Sequence, residues 1–188
     1  MSNPLLSNEC GDCFACCQAL PIIQSELQKK AGVLCPHHNG GRHGCTIYET
    51  RPTVCRGFLC GWRLVPELGD DWRPDRSGIL PVLVEKADVP DHHRKAGDGF
   101  NFIVTGGEAA VSRPAFADYV RTLVSRGVAV YLSAETPKTL INPYLEKLAV
   151  LRDMPGLTAM LLHIYRLHLE QKKLMRQAEQ AADGAPGS

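Results

Sequence analysis

The sequence contains no stretch of eighteen apolar residues and no run of five or more basic residues. The first absence argues against a transmembrane helix, which needs about 20 mostly apolar residues to cross a bilayer. The second leaves the chain without the clustered positive charge through which proteins bind nucleic acid. Since 21 basic residues nearly balance 20 acidic ones, we expect neither nucleic acid nor a membrane as a partner.

The N-terminal segment MSNPLLSNECGDC lacks the basic region and the apolar run of a secretory signal. We therefore expect a cytoplasmic protein, in which thiols stay reduced. Cysteine is also absent from the whole chain after Cys60. Because a chain of 188 residues with 44% hydrophobic residues can bury a core without cross-links, the cysteines are not needed as general staples.

Eight cysteines crowd the first sixty residues, and four of them form the run C-x2-C-x2-C-C. The candidate metal ligands are all eight: Cys10, Cys13, Cys16, Cys17, Cys35, Cys45, Cys55 and Cys60. Disulfides are the alternative, but a disulfide scaffold is small and spreads its cysteines over the whole fold. The confinement of the cysteines to one third of the chain favours metal binding.

The spacing C-x2-C lets a tight turn aim two sulfurs at one ion. Cys16 and Cys17 are adjacent, and because neighbouring side chains diverge, we expect them to serve two different centres. Eight thiolates suffice for two four-coordinate sites, with His37, His38 and His43 as spare nitrogen ligands. Thiolate ligands suit zinc, iron or an iron–sulfur cluster, and the ligand type leaves that choice open.

The pattern of apolar residues predicts an α+β fold, with an N-terminal cysteine-rich metal-binding lobe packed on a small α/β layer with a long C-terminal helix. We predict a lobe at 1–64, an α/β lobe at 65–182 and a disordered tail at 183–188. Within them we expect a short helix at 25–31, a turn or short helical piece at 48–54, and strands at 79–85, 100–105 and 128–132. Longer helices are predicted from Ser112 to Gly127 and over 158–182. Pro81 indicates an edge strand or a position early in its strand.

Three segments together resemble a known family: Cys10-Gly-Asp-Cys13-Phe-Ala-Cys16-Cys17, Cys45-Thr-Ile-Tyr-Glu49 and Arg51-Pro-Thr-Val-Cys55-Arg-Gly-Phe58. They resemble the CxxCxxCC (YkgJ-type) cysteine-cluster family, whose members are described as zinc- or iron-chelating domains. The resemblance covers about residues 9–62 and implies that these cysteines chelate zinc or iron. A related cysteine motif occurs in bacterial flagellin lysine N-methylase, so the resemblance leaves an enzyme open.

We therefore expect a metal-binding protein that chelates zinc or iron through clustered cysteines. Two alternatives remain: an iron–sulfur-dependent redox or group-transfer enzyme, and a zinc-stabilised module that binds an unidentified protein partner. Arg51 and Arg56 flank Cys55, and we expect their charges to offset those of the thiolates. Tyr48, Phe58 and Trp62 are candidates for shielding the centre from water.

The ligand assignment predicts the behaviour of two single variants. Cys13→Ser and Cys55→Ser should each lose bound metal and stability together, because the free energy of metal binding is also folding free energy. Metal content by mass spectrometry and thermal unfolding of the purified variants measure both effects. A variant that keeps its full metal content shows that its cysteine is not a ligand.

Overall fold

The computed structural model describes residues 10–40 and 44–183. Their fold is mixed helix and sheet, with a small sheet and a long C-terminal helix, which confirms the predicted α+β class. The division into lobes at residue 64 stays a prediction. Of the tail predicted at 183–188, Asp183 is the last residue of the C-terminal helix and the others lie outside the described residues.

The described part of the chain contains short helices near the cysteines and longer ones after them. The helices are α1 Ala15–Ala19, α2 Thr53–Gly57, α3 Gly61–Leu64, α4 Pro74–Ser77, α5 Gly107–Val111, α6 Pro114–Ser125, α7 Asn142–Leu151 and α8 Met154–Asp183. The strands are β1 Ile22–Ile23, β2 Gln28–Lys29, β3 Ile79–Val84, β4 Gly99–Val104, β5 Val130–Ser133 and β6 Thr139–Leu140.

Two sheets organise these elements. β1 and β2 form a two-stranded antiparallel hairpin in the cysteine-rich segment. The larger sheet has the order β3-β4-β5-β6, in which only β4 and β5 run parallel among the described strands. β3 is an edge strand with Pro81 opposite Phe102, as the position of proline predicts, because proline donates no hydrogen bond to a neighbouring strand.

The main core lies between this sheet and helices α5, α6, α7 and α8. Phe102 of β4 and Phe116 of α6 are fully buried, and their rings meet edge to face with centroids 5.3 Å apart. Leu157 and Leu161 bring the first turns of α8 into the same core. In the described ranges, no helix is long and apolar enough to cross a membrane.

Most of the strands and long helices agree with the sequence-based predictions to within a few residues. β3, β4 and β5 occupy the three predicted segments, and α8 begins four residues before the predicted start at Thr158. α6 ends before Gly127 as expected, but its N-cap is Arg113, since Ser112 terminates the preceding α5. The segment 48–54 contains a 3-10 turn at Tyr48–Thr50 and the start of α2.

The helix predicted at 25–31 is wrong. The chain forms the β1–β2 hairpin there, with Gln24 N–H donating to the carbonyl of Leu27 across the turn. Leu27 and Lys29 are buried while Gln28 and Lys30 are exposed, which is the alternation of a strand. The capping signals of Ser25 and Gly32 were outweighed by the burial of these alternate residues. β6 and helices α5 and α7 were not predicted.

His168 on α8 gives the fold a measurable pH dependence. Its ring is 3% exposed, its Nδ1 lies 2.5 Å from Thr136 Oγ1, and burial lowers the pKa of His168 below its usual value. At pH values below about 6.5 the unfolded chain binds a proton there that the folded chain resists, so stability falls as pH falls. We expect up to about 1.4 kcal/mol lost per pH unit from this residue, measured by urea unfolding between pH 7.5 and 5.

The matched variants for this prediction are His168→Asn and, as control, His163→Asn on the exposed side of the same helix. His168→Asn should flatten the pH dependence of unfolding more than the control does. Equal effects of the two variants would contradict the assignment to the buried ring.

Candidate metal centre

The eight predicted ligands lie on short elements joined by turns. Cys10 and Cys13 form one turn, in which Cys13 N–H donates to the Cys10 carbonyl at 2.9 Å. Cys16 and Cys17 lie on α1, Cys55 lies on α2, and Cys60 is the N-cap residue of α3. Cys35 and Cys45 lie on the segments that lead into and out of a short loop. All eight are free thiols.

Cys16 and Cys17 pack against different clusters, although a hydrogen bond links their thiols. Cys16 packs against the main core, whereas Cys17 packs against a small separate cluster formed by Ile22, Leu27 and Cys35. Adjacent residues of a helix are rotated by about 100° from each other, so their side chains reach different surroundings. That the two cysteines serve different centres stays a prediction.

One set of cysteines, which we call the core-side set, contains Cys10, Cys13, Cys16 and Cys60. Cys60 is 7% exposed within the main core, and its pKa is raised to about 11, chiefly by burial and further by the charges of Cys10 and Cys13. The pKa of Cys16 is raised by a hydrogen bond to Cys17, by burial and by the charges of Cys17, Cys10 and Cys13. These mutual effects show that the four thiols share one neighbourhood.

The other set, which we call the loop-side set, contains Cys17, Cys35, Cys45 and Cys55. Cys55 packs on the same small cluster as Cys17. Its pKa is raised by burial and then by the charges of Cys17, Cys35 and Cys45. The pKa of Cys17 is instead lowered, first by the hydrogen bond from Cys16 and then by the positive charges of Lys29 and Arg51. The doublet is therefore the point where the two sets meet.

Backbone hydrogen bonds bring Cys45 back towards Cys35. Cys35 N–H donates to the Cys17 carbonyl at 3.1 Å, and His38 N–H donates to the Cys35 carbonyl at 2.9 Å. His38 then forms an isolated antiparallel bridge with Cys45. Its Nδ1 accepts a hydrogen bond from Gly40 N–H at 3.0 Å, so this nitrogen is already engaged. Of the spare histidines, His43 lies outside the described residues.

The grouped thiols do not form a finished coordination site. In the parts of the chain that the structure describes, no group of three or more His, Cys, Asp or Glu side chains is arranged to hold a metal ion. Each set offers four thiols, and thiols are donors that suit zinc or iron. The sulfurs of a set are neighbours, but they do not converge on one position where an ion could be held.

Lys29 is the buried cation of the site, and the sequence reasoning missed it. Its side chain is buried, and its Nζ donates to the carbonyls of Gln18 at 3.1 Å, Lys30 at 3.2 Å and Val33 at 2.8 Å. Burial lowers the pKa of Lys29, and the charges of Cys35, Cys17, Cys16 and Cys55 act in the opposite direction. This ammonium therefore ties α1 to the turn that follows β2, and it also faces the thiols.

Of the two arginines expected to offset the charge of the thiolates, Arg51 acts on the pKa of two thiols, whereas Arg56 contacts Thr53. Arg51 stacks over the Tyr48 ring at 3.8 Å, and its charge helps to lower the pKa of Cys17 and partly opposes the rise in the pKa of Cys55. The exposed Arg56 lies 3.4 Å from Thr53 Oγ1. Tyr48 is also exposed, while Phe58 and Trp62 pack in the main core.

A polar cavity of ≈ 130 Å³ lies beside the doublet helix. Its walls come from the end of α1, the carboxyl ends of the parallel strands β4 and β5, and α8. Glu135 lines it with a φ of 61°, and its carboxylate contacts Lys172 Nζ at 2.7 Å. Gly32 leaves room for this carboxylate, because a Cβ there would lie 2.3 Å from it. Ligands of open α/β sheets bind at this end of the strands.

Comparison of the chain with protein-family models, curated proteins and solved structures finds no match. The resemblance to the CxxCxxCC family therefore stays a prediction carried by the cysteine motifs. A function for this chain can therefore be supported only by the geometry of its site.

Lys29 should contribute strongly to stability. Lys29→Met keeps the aliphatic stem but removes three hydrogen bonds from a buried ammonium to backbone carbonyls, which should cost about 3 kcal/mol in the free energy of unfolding. The matched control is Lys30→Met. Lys30 forms an exposed ion pair with Glu179 at 2.8 Å, and such pairs contribute about 1 kcal/mol or less. Urea unfolding of both variants measures the difference, and equal losses would contradict the role given to Lys29.

Proposed function

We propose that this protein is a cytoplasmic metal-binding protein that chelates zinc or iron through two sets of four cysteines. The observation that carries the proposal is the separation of the cysteines on either side of the doublet: Cys16 and Cys60 pack in the main core, whereas Cys17, Cys35 and Cys55 pack in the small cluster. Four thiolates are a complete ligand set for one zinc ion or one iron–sulfur cluster. The cytoplasm is part of the proposal because metal ligation requires reduced thiols.

The charges near the loop-side set support the same proposal. A zinc ion with four thiolates carries a net charge of about −2, and such a charge is costly to hold near a protein interior without compensation. Lys29 and Arg51 both act on Cys17, which is where such negative charge would accumulate. A bound zinc ion would crosslink these segments, and an iron–sulfur cluster would in addition carry electrons.

The proposal requires the sulfurs to move. Since no group of three donors in the described ranges is arranged as a metal site, the thiols of each set have to converge when an ion binds. The turns at Cys10–Cys13 and Cys35–His38 are short irregular segments that can make this adjustment. Metal binding and local ordering are then coupled.

The second candidate is an iron–sulfur-dependent redox or group-transfer enzyme, and the cavity beside α1 favours it. Gln18 and Ala19, which follow the doublet directly, line that cavity together with Glu135 and Lys172. A small polar molecule held there would lie next to the region where the two cysteine sets meet. The identity of the bound metal distinguishes the two candidates, because the enzyme requires an iron–sulfur cluster.

Purification without oxygen tests the proposed function. We expect either a colourless protein with about two zinc ions per chain or a brown protein with iron and acid-labile sulfide. Elemental mass spectrometry, a sulfide assay and the visible spectrum measure these quantities, and iron with sulfide favours the enzyme. Eight reactive thiols without metal, or four intact disulfides, would contradict both candidates.

A further inference from the structure

Strand β6 and helices α7 and α8 border a cavity of ≈ 280 Å³. Its lining side chains are mostly apolar or aromatic, with a few polar groups among them: Thr139, Tyr144, Met160, His163, Ile164, Leu167, His168 and Gln171. Among the described residues, none from the cysteine-rich segment lines it. Its volume is near the lower end of the range for sites that bind small organic molecules, about 300 Å³, and such sites combine apolar walls with a few polar groups in the same way.

His168 contributes to this cavity a buried nitrogen that lacks a partner. Its ring is 3% exposed, and within the described ranges its Nε2 has no hydrogen-bond partner. Buried nitrogens of Arg51, His93 and Arg113 are also unpaired, but these residues line neither this cavity nor the polar one beside α1. A buried polar atom without a partner destabilises the folded state, and a bound ligand is one way to supply the partner.

The contacts of the His168 ring indicate which of its nitrogens carries the hydrogen. Nδ1 lies 2.5 Å from Thr136 Oγ1, and Thr136 does not line the cavity. Thr136 Oγ1 accepts a hydrogen bond from the Ala134 N–H at 3.4 Å, which leaves its own hydrogen to donate to Nδ1. Burial lowers the pKa of His168 and so favours the neutral ring, in which the other nitrogen then carries the hydrogen. Nε2 is therefore an N–H donor without an acceptor.

The lining of the cavity favours a neutral ligand. Among the described residues no lysine or arginine lines it, so a carboxylate bound there would lose its hydration without gaining a cation such as Lys or Arg as a partner. The apolar walls suit an apolar body, and the Nε2–H suits a carbonyl oxygen. Tyr144 and Leu167 are more than half exposed, and exposed side chains change rotamer rapidly, so they can move aside when a molecule enters.

We propose that the cavity between β6, α7 and α8 binds a small neutral molecule with an apolar body and a carbonyl oxygen, and that this oxygen accepts a hydrogen bond from His168 Nε2. Met160, Ile164 and Leu167 of α8 would pack against the apolar body. The inference does not rest on metal binding, because the described cysteines take no part in the site. Its failure would therefore leave the proposed function unaffected.

Acetophenone and α-methylstyrene test the hydrogen bond, because they have nearly the same shape and differ in a carbonyl oxygen against a CH₂ group. NMR titrations of the full chain measure their dissociation constants. We expect acetophenone to bind with a Kd of about 1 mM or lower. In His168→Phe, which keeps a ring but removes the donor, the ratio of the two constants should shift about tenfold against acetophenone. No binding of acetophenone, or an unchanged ratio, overturns the inference.

A second pair of variants tests the location without altering His168. Leu167 and Leu174 are both more than half exposed on α8, and of the two only Leu167 lines the cavity. Leu167→Trp should fill the cavity and weaken acetophenone binding about tenfold or more, whereas Leu174→Trp should leave it unchanged. Equal effects of the two variants overturn the inference. So does a dimer in sedimentation velocity that Leu167→Trp dissociates, since a second copy of the chain would then cover the cavity.

Discussion

The adjacency of Cys16 and Cys17 on a five-residue helix is the constraint on which the cysteine-rich segment depends. Two neighbouring helical residues are about 100° apart around the axis, so Cys16 meets the main core and Cys17 meets the small cluster. Each of the remaining cysteines then falls on one side or the other of this division. The same short helix ends at the polar cavity, so it joins the two thiol sets to the carboxyl ends of β4 and β5.

Buried charge is the second requirement of this arrangement. Thiolates brought close together repel one another, and a buried ammonium is itself costly unless its hydrogens are bonded. Lys29 meets both conditions, because its three hydrogen bonds go to backbone carbonyls while its charge faces the loop-side thiols. The hairpin buries Leu27 and Lys29 on the same face, which a helix over the same residues would not do.

Periodicity and turn residues predicted the parts of the fold in which local and tertiary preferences agree. β3, β4, β5, α6 and α8 all have long apolar patterns with clear boundaries. Prediction was wrong where a few buried side chains decided the outcome, as in the β1–β2 hairpin. It was silent on α7, whose amphipathic pattern is weak and whose first residue Asn142 is held by hydrogen bonds to Val130 N–H and the Val128 carbonyl.

By itself the sequence determined that the cysteines are confined to one segment and that an α+β body follows. These conclusions depend on spacing and on local backbone geometry, which a sequence displays directly. The tertiary structure alone decided which cysteines are neighbours, because Cys60 and Cys10 are fifty residues apart and meet only through the packing of α3 and α4 around the sheet. It also decided that Lys29, rather than Arg56, acts on the thiols together with Arg51, since burial is a property of the folded chain.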